Sequence, residues 1–219
     1  MEKPISPDTT LFISGASGVG KTEVSRLLLK TFPQFLILQE VDIIREAVRG
    51  YRESVVNSTN LDYDSFYDNI LFKSTSELSI SDFISQSIQL EKPIRNICNR
   101  LKSKKIPTII EGTNLLFNRL LTQECENGYF INSPNMFFVN LFVSDGSIHQ
   151  KRWIQKGKKN IYKDTNVDFS NLIKINDYLK TETECAINRF NSTVKIINID
   201  TTYISKNQIV DIIISFLNL

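Results

Sequence analysis

One junction constrains this chain more than any other feature. The apolar run Leu11-Phe12-Ile13-Ser14 ends in Gly15-Ala16-Ser17-Gly18-Val19-Gly20-Lys21-Thr22, and Val24, Leu27, Leu28 and Phe32 follow at helical spacing. The pattern predicts a buried strand, a glycine-rich loop and an amphipathic helix in immediate succession. At ordinary residue frequencies, G-x-x-x-x-G-K-[ST] arises by chance in roughly one chain in a hundred of this length. Its physics is specific. Small residues let backbone N–H groups curl around phosphate oxygens, and the helix that follows offers its unpaired N-terminal donors and positive dipole end. Lys21 is then placed to reach the β- and γ-phosphates, and the Thr22 hydroxyl to ligate Mg²⁺. The junction therefore predicts a binding site for Mg·ATP formed by Gly15, Ala16, Ser17, Gly18, Val19, Gly20, Lys21 and Thr22.

Around this junction lie 219 residues, 41% hydrophobic and 23% charged, enough for one packed domain and too few for two comfortable ones. A single domain over residues 1–219 is expected. No apolar run of membrane-spanning length occurs, and Met1-Glu2-Lys3-Pro4 lacks the apolar core of a secretory signal, so a cytoplasmic protein with no membrane partner is expected. Cys98, Cys125 and Cys185 are widely separated and have no metal-ligand spacing, which fits reduced structural thiols. A net charge of +2 argues against a nucleic-acid partner, although Lys156, Lys158, Lys159 and Lys163 form a local basic cluster.

Strand and helix signals alternate along the chain. Further strands are predicted over 35–39, 107–110, 137–143 and 194–199, and a helix over 42–48 with Gly50 just past its end. Between Arg52 and Lys105 the spacing of Phe66, Ile70, Leu71, Phe83, Ile84, Ile88, Leu90, Ile94, Ile97 and Leu101 favours a helical insertion. Such alternation implies an α/β chain with a parallel sheet covered on both faces and ligands at the carboxyl ends of the strands.

Several side chains fall at that edge. Glu111 ends the third strand and could hold a magnesium-bound water or polarise an acceptor hydroxyl. Asp42 opens the helix after the second strand, where it suits either a cap or a carboxylate that orients an acceptor hydroxyl and takes its proton. Arg45 and Arg49, four apart, could form one cationic face toward an anionic substrate, or a solvated face paired with Glu46 or Glu53. His149 has no partner at recognisable spacing and reads as structural. Arg152, Lys158 and Lys159 belong to a basic stretch, about 156–168 and its approach, that could close over phosphates and neutralise transition-state charge, or form a solvated loop.

Taken together, these segments resemble 2-phosphoglycerate kinase and its P-loop relatives. Gly15–Thr22 is similar to that family's phosphate loop, Val41-Asp42-Ile43-Ile44-Arg45-Glu46 to its Asp-x-(Ile)-Arg-Glu segment, and Ile109-Ile110-Glu111-Gly112 to its Ile-Glu-Gly strand end. His149-Gln150-Lys151-Arg152-Trp153 resembles its His-x-x-Arg-Phe, and Ile173-Lys174-Ile175-Asn176-Asp177-Tyr178-Leu179 its Ile-Arg-x-Ile-x-Asp-Tyr-Leu. The resemblance implies a P-loop NTPase three-layer sandwich with a five-stranded parallel sheet of NMP-kinase type, a helical acceptor region (52–105) and a lid (156–168). It also implies transfer of the ATP γ-phosphoryl group to a hydroxyl of a small anionic acceptor, with Lys21, Asp42, Glu111 and Arg152 in catalysis. Asp42, Arg45, Arg49, Lys158 and Lys159 would bind the acceptor, and Thr22 and Glu111 the metal. A sugar-nucleotide or nucleic-acid-end kinase of zeta-toxin-like or polynucleotide-kinase-like type would use the same loop. A nucleotide-dependent switch is the non-enzymatic alternative, and the chain has no Asn-Lys-x-Asp guanine-reading segment.

Overall fold

The structure, a computed structural model, describes residues 5–59, 70–122, 135–159, 169–190 and 192–217, without the side chains of 57–59 and 156–159. Five parallel strands, β1 (Thr10–Ser14), β2 (Ile37–Glu40), β3 (Thr108–Glu111), β4 (Met136–Phe142) and β5 (Lys195–Asp200), lie in the order β2-β3-β1-β4-β5. The helices are α1 (Lys21–Thr31), α2 (Val41–Thr59), α3 (Ile80–Ser103), α4 (Phe117–Thr122), α5 (Gly146–Lys159), α6 (Ser170–Phe190) and α7 (Lys206–Leu217), with short 3₁₀ turns at Ile70–Phe72 and Thr75–Glu77. The expected α/β sandwich is what forms. None of the described helices is long and apolar enough to cross a membrane.

Strand β1 explains why its sequence is apolar throughout. All five residues are buried, because alternate side chains enter different cores. Leu11 and Ile13 pack with Val24 and Leu28 of α1 and Ile209 and Ile213 of α7. Phe12 points the other way, among Leu90 and Ile94 of α3, Leu120 of α4 and Ala186 of α6. Its ring stacks on Phe138 at 4.9 Å, and Phe117 meets Phe138 edge-on at 5.2 Å. Truncating a ring so enclosed costs about 3–5 kcal/mol, so this layer locks β1 and β4 in register.

Strand order then positions the site. The chain leaves β1 over one face toward β2 and leaves β3 over the other toward β4, which opens a crevice at the carboxyl ends of β1 and β3. Three of the expected strands, 107–110, 137–143 and 194–199, are displaced by a single residue, and two elements differ by more than that. Strand β2 spans Ile37–Glu40 and not 35–39, which makes Glu40 its last residue, paired in register with Glu111. Helix α2 runs through Gly50 to Thr59. The helix penalty of one glycine, about 1 kcal/mol, is offset by burial beyond it, with Val56 only 6% exposed.

Candidate active site

The loop after β1 turns into α1 through Gly20, whose φ of 105° lies in the left-handed region. Nothing lies within 4 Å of where a Cβ would stand there, so glycine is required by conformation and the space outside the loop stays open. Gly20 caps α1 without a side-chain hydrogen bond, which leaves the first N–H groups of the helix available to an anion.

Three of the residues singled out in the sequence meet at the crevice. Lys21, 7% exposed, donates from Nζ to the Ala16 carbonyl at 3.0 Å and to Thr113 Oγ1 at 3.3 Å. The Thr22 hydroxyl donates to Glu111 Oε1 at 2.8 Å. Burial pushes the Glu111 carboxyl above its ordinary range, opposed by the Lys21 cation and the Thr22 bond, and the nearby Glu40 and Asp42 carboxylates add to the rise. A divalent cation would relieve that crowding. Among the described residues no trio of His, Cys, Asp or Glu is gathered as a metal cage. The donor set is thus one hydroxyl and one carboxylate, which suits a hard cation that also takes phosphate oxygens. Loop, lysine and oxygen pair fit Mg·ATP.

The remaining candidates distribute themselves around this centre. Asp42 is an exposed first-turn residue of α2 and pairs with Arg45 at 3.2 Å instead of capping the helix. The Arg45 side chain is 12% exposed, and its Nε and Nη1 are buried with no hydrogen-bond partner among the described residues. Arg49 is already committed. Its Nε donates to the Leu71 carbonyl at 2.6 Å, its Nη1 to Glu46 at 2.5 Å, and its guanidinium lies over the Phe72 ring. Arg152 donates to the Thr201 hydroxyl at 3.1 Å and to the carbonyls of Thr201 and Thr202 at 2.8 and 3.0 Å, so it ties α5 to the turn after β5. The side chains of Lys158 and Lys159 and residues 160–168 lie outside the described part of the chain, as does Cys125. Cys98 is buried and free, and burial pushes its thiol up to about 11.

Two residues at the site escape local sequence reasoning. Glu40, in register with Glu111 and paired with Arg26 at 3.2 Å, supplies a further carboxylate at the same edge. Its signal was the Gln39-Glu40 step at the end of an apolar run. Thr113 holds Lys21 from the β3 side, and only the proximity of β1 and β3 reveals that.

No family model matches this sequence, and no curated protein does. Among solved structures, the deoxyadenosine kinase of M. mycoides with bound dATP is similar over 96% of this chain and 100% of that one, with a TM-score of 0.52 and 16% identity. A gluconokinase from Sinorhizobium meliloti 1021 is similar over 96% of this chain and 91% of that one, with a TM-score of 0.46 and 13% identity. Shikimate kinase from Acinetobacter baumannii in complex with shikimate is similar over 95% of this chain and 92% of that one, at 0.44 and 13%. At such identities the likeness is one of fold, and the deoxyadenosine kinase carries it.

Proposed function

We propose that this chain is an ATP-dependent phosphotransferase of the cytoplasm that moves a γ-phosphoryl group to a hydroxyl of a small anionic acceptor. The observation that carries the reading is the meeting of Lys21, Thr22 and Glu111 at the crevice beside the phosphate loop. In this reading residues 1–219 form one kinase unit in which 52–105 receives the acceptor and 156–168 closes over the phosphates. Lys21 stabilises charge between the β- and γ-phosphates, and Thr22 and Glu111 hold the cation. Magnesium, when bound, supplies neutralising charge to the phosphoryl group in transfer. Asp42, with Glu40 at the same strand end, orients the acceptor hydroxyl and takes its proton as the new O–P bond forms and ADP leaves. Arg152, Lys158 and Lys159 add positive charge from the lid side.

Arg45 supports the anionic acceptor. A buried guanidinium with two nitrogens that lack a partner among the described residues is costly unless a ligand completes it, and a planar fork suits a carboxylate or phosphate. A small phosphorylated hydroxy acid such as 2-phosphoglycerate meets that demand. A neutral nucleoside, the acceptor expected by analogy with the deoxyadenosine kinase, would leave those donors unsatisfied. Incubation with Mg·ATP and a panel of anionic and neutral alcohols, read by mass spectrometry for the gain of one phosphoryl group, tests the reading. Transfer confined to neutral acceptors would overturn the anionic class, and ATP hydrolysis indifferent to any acceptor would favour a switch.

A further inference from the structure

The outer side of the phosphate loop is gripped by α5. His149, 1% exposed, lies with Nε2 2.8 Å from the Ser17 carbonyl. A carbonyl only accepts, so Nε2 carries the hydrogen and donates. The ring is fixed by its surroundings. Its backbone N–H donates to Asp145, Phe169 packs edge-on at 5.1 Å, and Trp153 leans on the same Phe169 at 6.0 Å.

The peptide that this bond holds is followed by a glycine with positive φ, as are two others in the loop. Gly18 follows Ser17 with φ 92°, and glycine occupies either sign of φ at similar cost, so the Ser17–Gly18 plane has little intrinsic preference. In a trans peptide the C=O and the next N–H point to opposite sides. A Ser17 carbonyl held outward on His149 therefore turns the Gly18 N–H inward, into the cradle. The grip is close on both sides of the bond, because a Cβ on Gly18 would stand 3.3 Å from Trp153 Cβ. Thr201 offers no equal substitute. Its single hydroxyl hydrogen is shared between the carbonyls of Val19 at 3.2 Å and Phe142 at 3.1 Å.

We propose that His149 is a positioning residue for nucleotide binding: through Nε2–H it locks the Ser17–Gly18 peptide in the orientation that presents the Gly18 amide to phosphate. The role rests on the phosphate-loop reading but assigns His149 no contact with the nucleotide. It also makes α5, the loop and Phe169 at the head of α6 one packed unit. Burial, Lys21 of α1 and Arg152 of α5 hold the imidazole below its ordinary range, against the Ser17 bond and Asp177 of α6, so the ring donates as a neutral group at pH 7.

Equilibrium binding of Mg·ATP and of inorganic tripolyphosphate to the full chain tests this. The expected result is a loss of about ten- to a hundredfold in affinity for both probes in His149→Leu, the loss of one preorganised donor. His149→Gln, whose amide reaches as far as Nε2, should stay within about threefold of the parent. His149→Asn, polar but too short, keeps the test open if the leucine variant does not fold, and should bind as weakly as leucine. Parent-like affinity in a folded leucine or asparagine variant overturns the proposal while leaving the phosphate loop intact. Equal weakening in the glutamine and asparagine variants also overturns it, since that would mark a packing role. Failure of the unmodified chain to bind tripolyphosphate would sink the phosphate-loop reading itself, and this inference with it.

Discussion

The two walls of the crevice are finished differently. On the proposed nucleotide wall every buried polar side-chain atom of residues 15–22 has a partner, with Lys21 parked on Ala16 and Thr113 and Thr22 on Glu111, and the exception farther along α1 is Ser25 Oγ. On the proposed acceptor wall Arg45 Nε and Nη1 and Asn114 Oδ1 are buried without partners among the described residues, although Asn114 Nδ2 donates to Gln86 and Ser87. Each such group costs about 1–3 kcal/mol. A preformed wall binds whatever carries the right phosphates. An unfinished wall is completed by its ligand, and so discriminates among ligands at the expense of stability in their absence.

The sharpest way to break this comparison is to disable the finished wall. Lys21→Ala should fold normally and lose at least about 10³-fold in turnover, because the charge it stabilises grows only as the γ-phosphoryl group departs. Near-normal turnover in a folded variant would remove the basis for any phosphotransfer reading. Asp42→Asn should lower kcat by about 10² or more with the ATP KM little changed. The same experiment on Glu40→Gln decides which carboxylate serves the acceptor, since only the one that takes the proton will show a kcat loss of that size.

What the sequence revealed divides along the same line. The nucleotide wall is local: strand, loop and helix follow within residues 10–31, so Gly15–Thr22 and the helix after it could be read directly. Glu111 was legible because β3 is buried throughout and its apolar run stops at a charge. Strand β2 is an edge strand and half-buried along its length, and the buried Phe35 before it drew the expected strand two residues early. Glu40 was lost in that shift. The roles of His149 and Arg152 depend on contacts 132 and 49 residues away in the chain, which no local spacing encodes.

The unfinished wall can be tested through Arg45 in two directions. Arg45→Glu should raise the acceptor KM by about 10²-fold with the ATP KM nearly unchanged, since an attractive partner becomes repulsive. Arg45→Met should also weaken the acceptor, yet raise ligand-free stability by about 1 kcal/mol as the partnerless donors disappear. Chemical denaturation with and without acceptor separates the two effects. A methionine variant that is less stable without ligand would show that Arg45 already supports the fold, and the contrast between the walls would fail on that side.

The last expected effect is the smallest and compares how the walls answer to pH. Glu182 of α6 lies behind the acceptor wall, where it accepts the backbone N–H groups of Phe117 at 2.9 Å and Arg119 at 3.2 Å at the start of α4. Arg119 in turn bonds Glu91 of α3 at 2.8 Å. Burial pushes the Glu182 carboxyl up to about 7, against these amide donors. A folded-state pKa above the unfolded one means that the folded chain holds the proton more tightly. This contribution is complete below the ordinary carboxylate range and is lost as pH rises toward about 7, by about 2 kcal/mol between pH 5 and 7. His149 behind the nucleotide wall has the opposite sign: its depressed pKa contributes stability above the ordinary imidazole range, and that is lost as pH falls. Denaturation profiles of Glu182→Gln should therefore lose the decline from pH 5 to 7 while keeping the acid-side decline, and His149→Gln should do the reverse. Parallel profiles in both variants would mean that neither group sets the pH response of its wall.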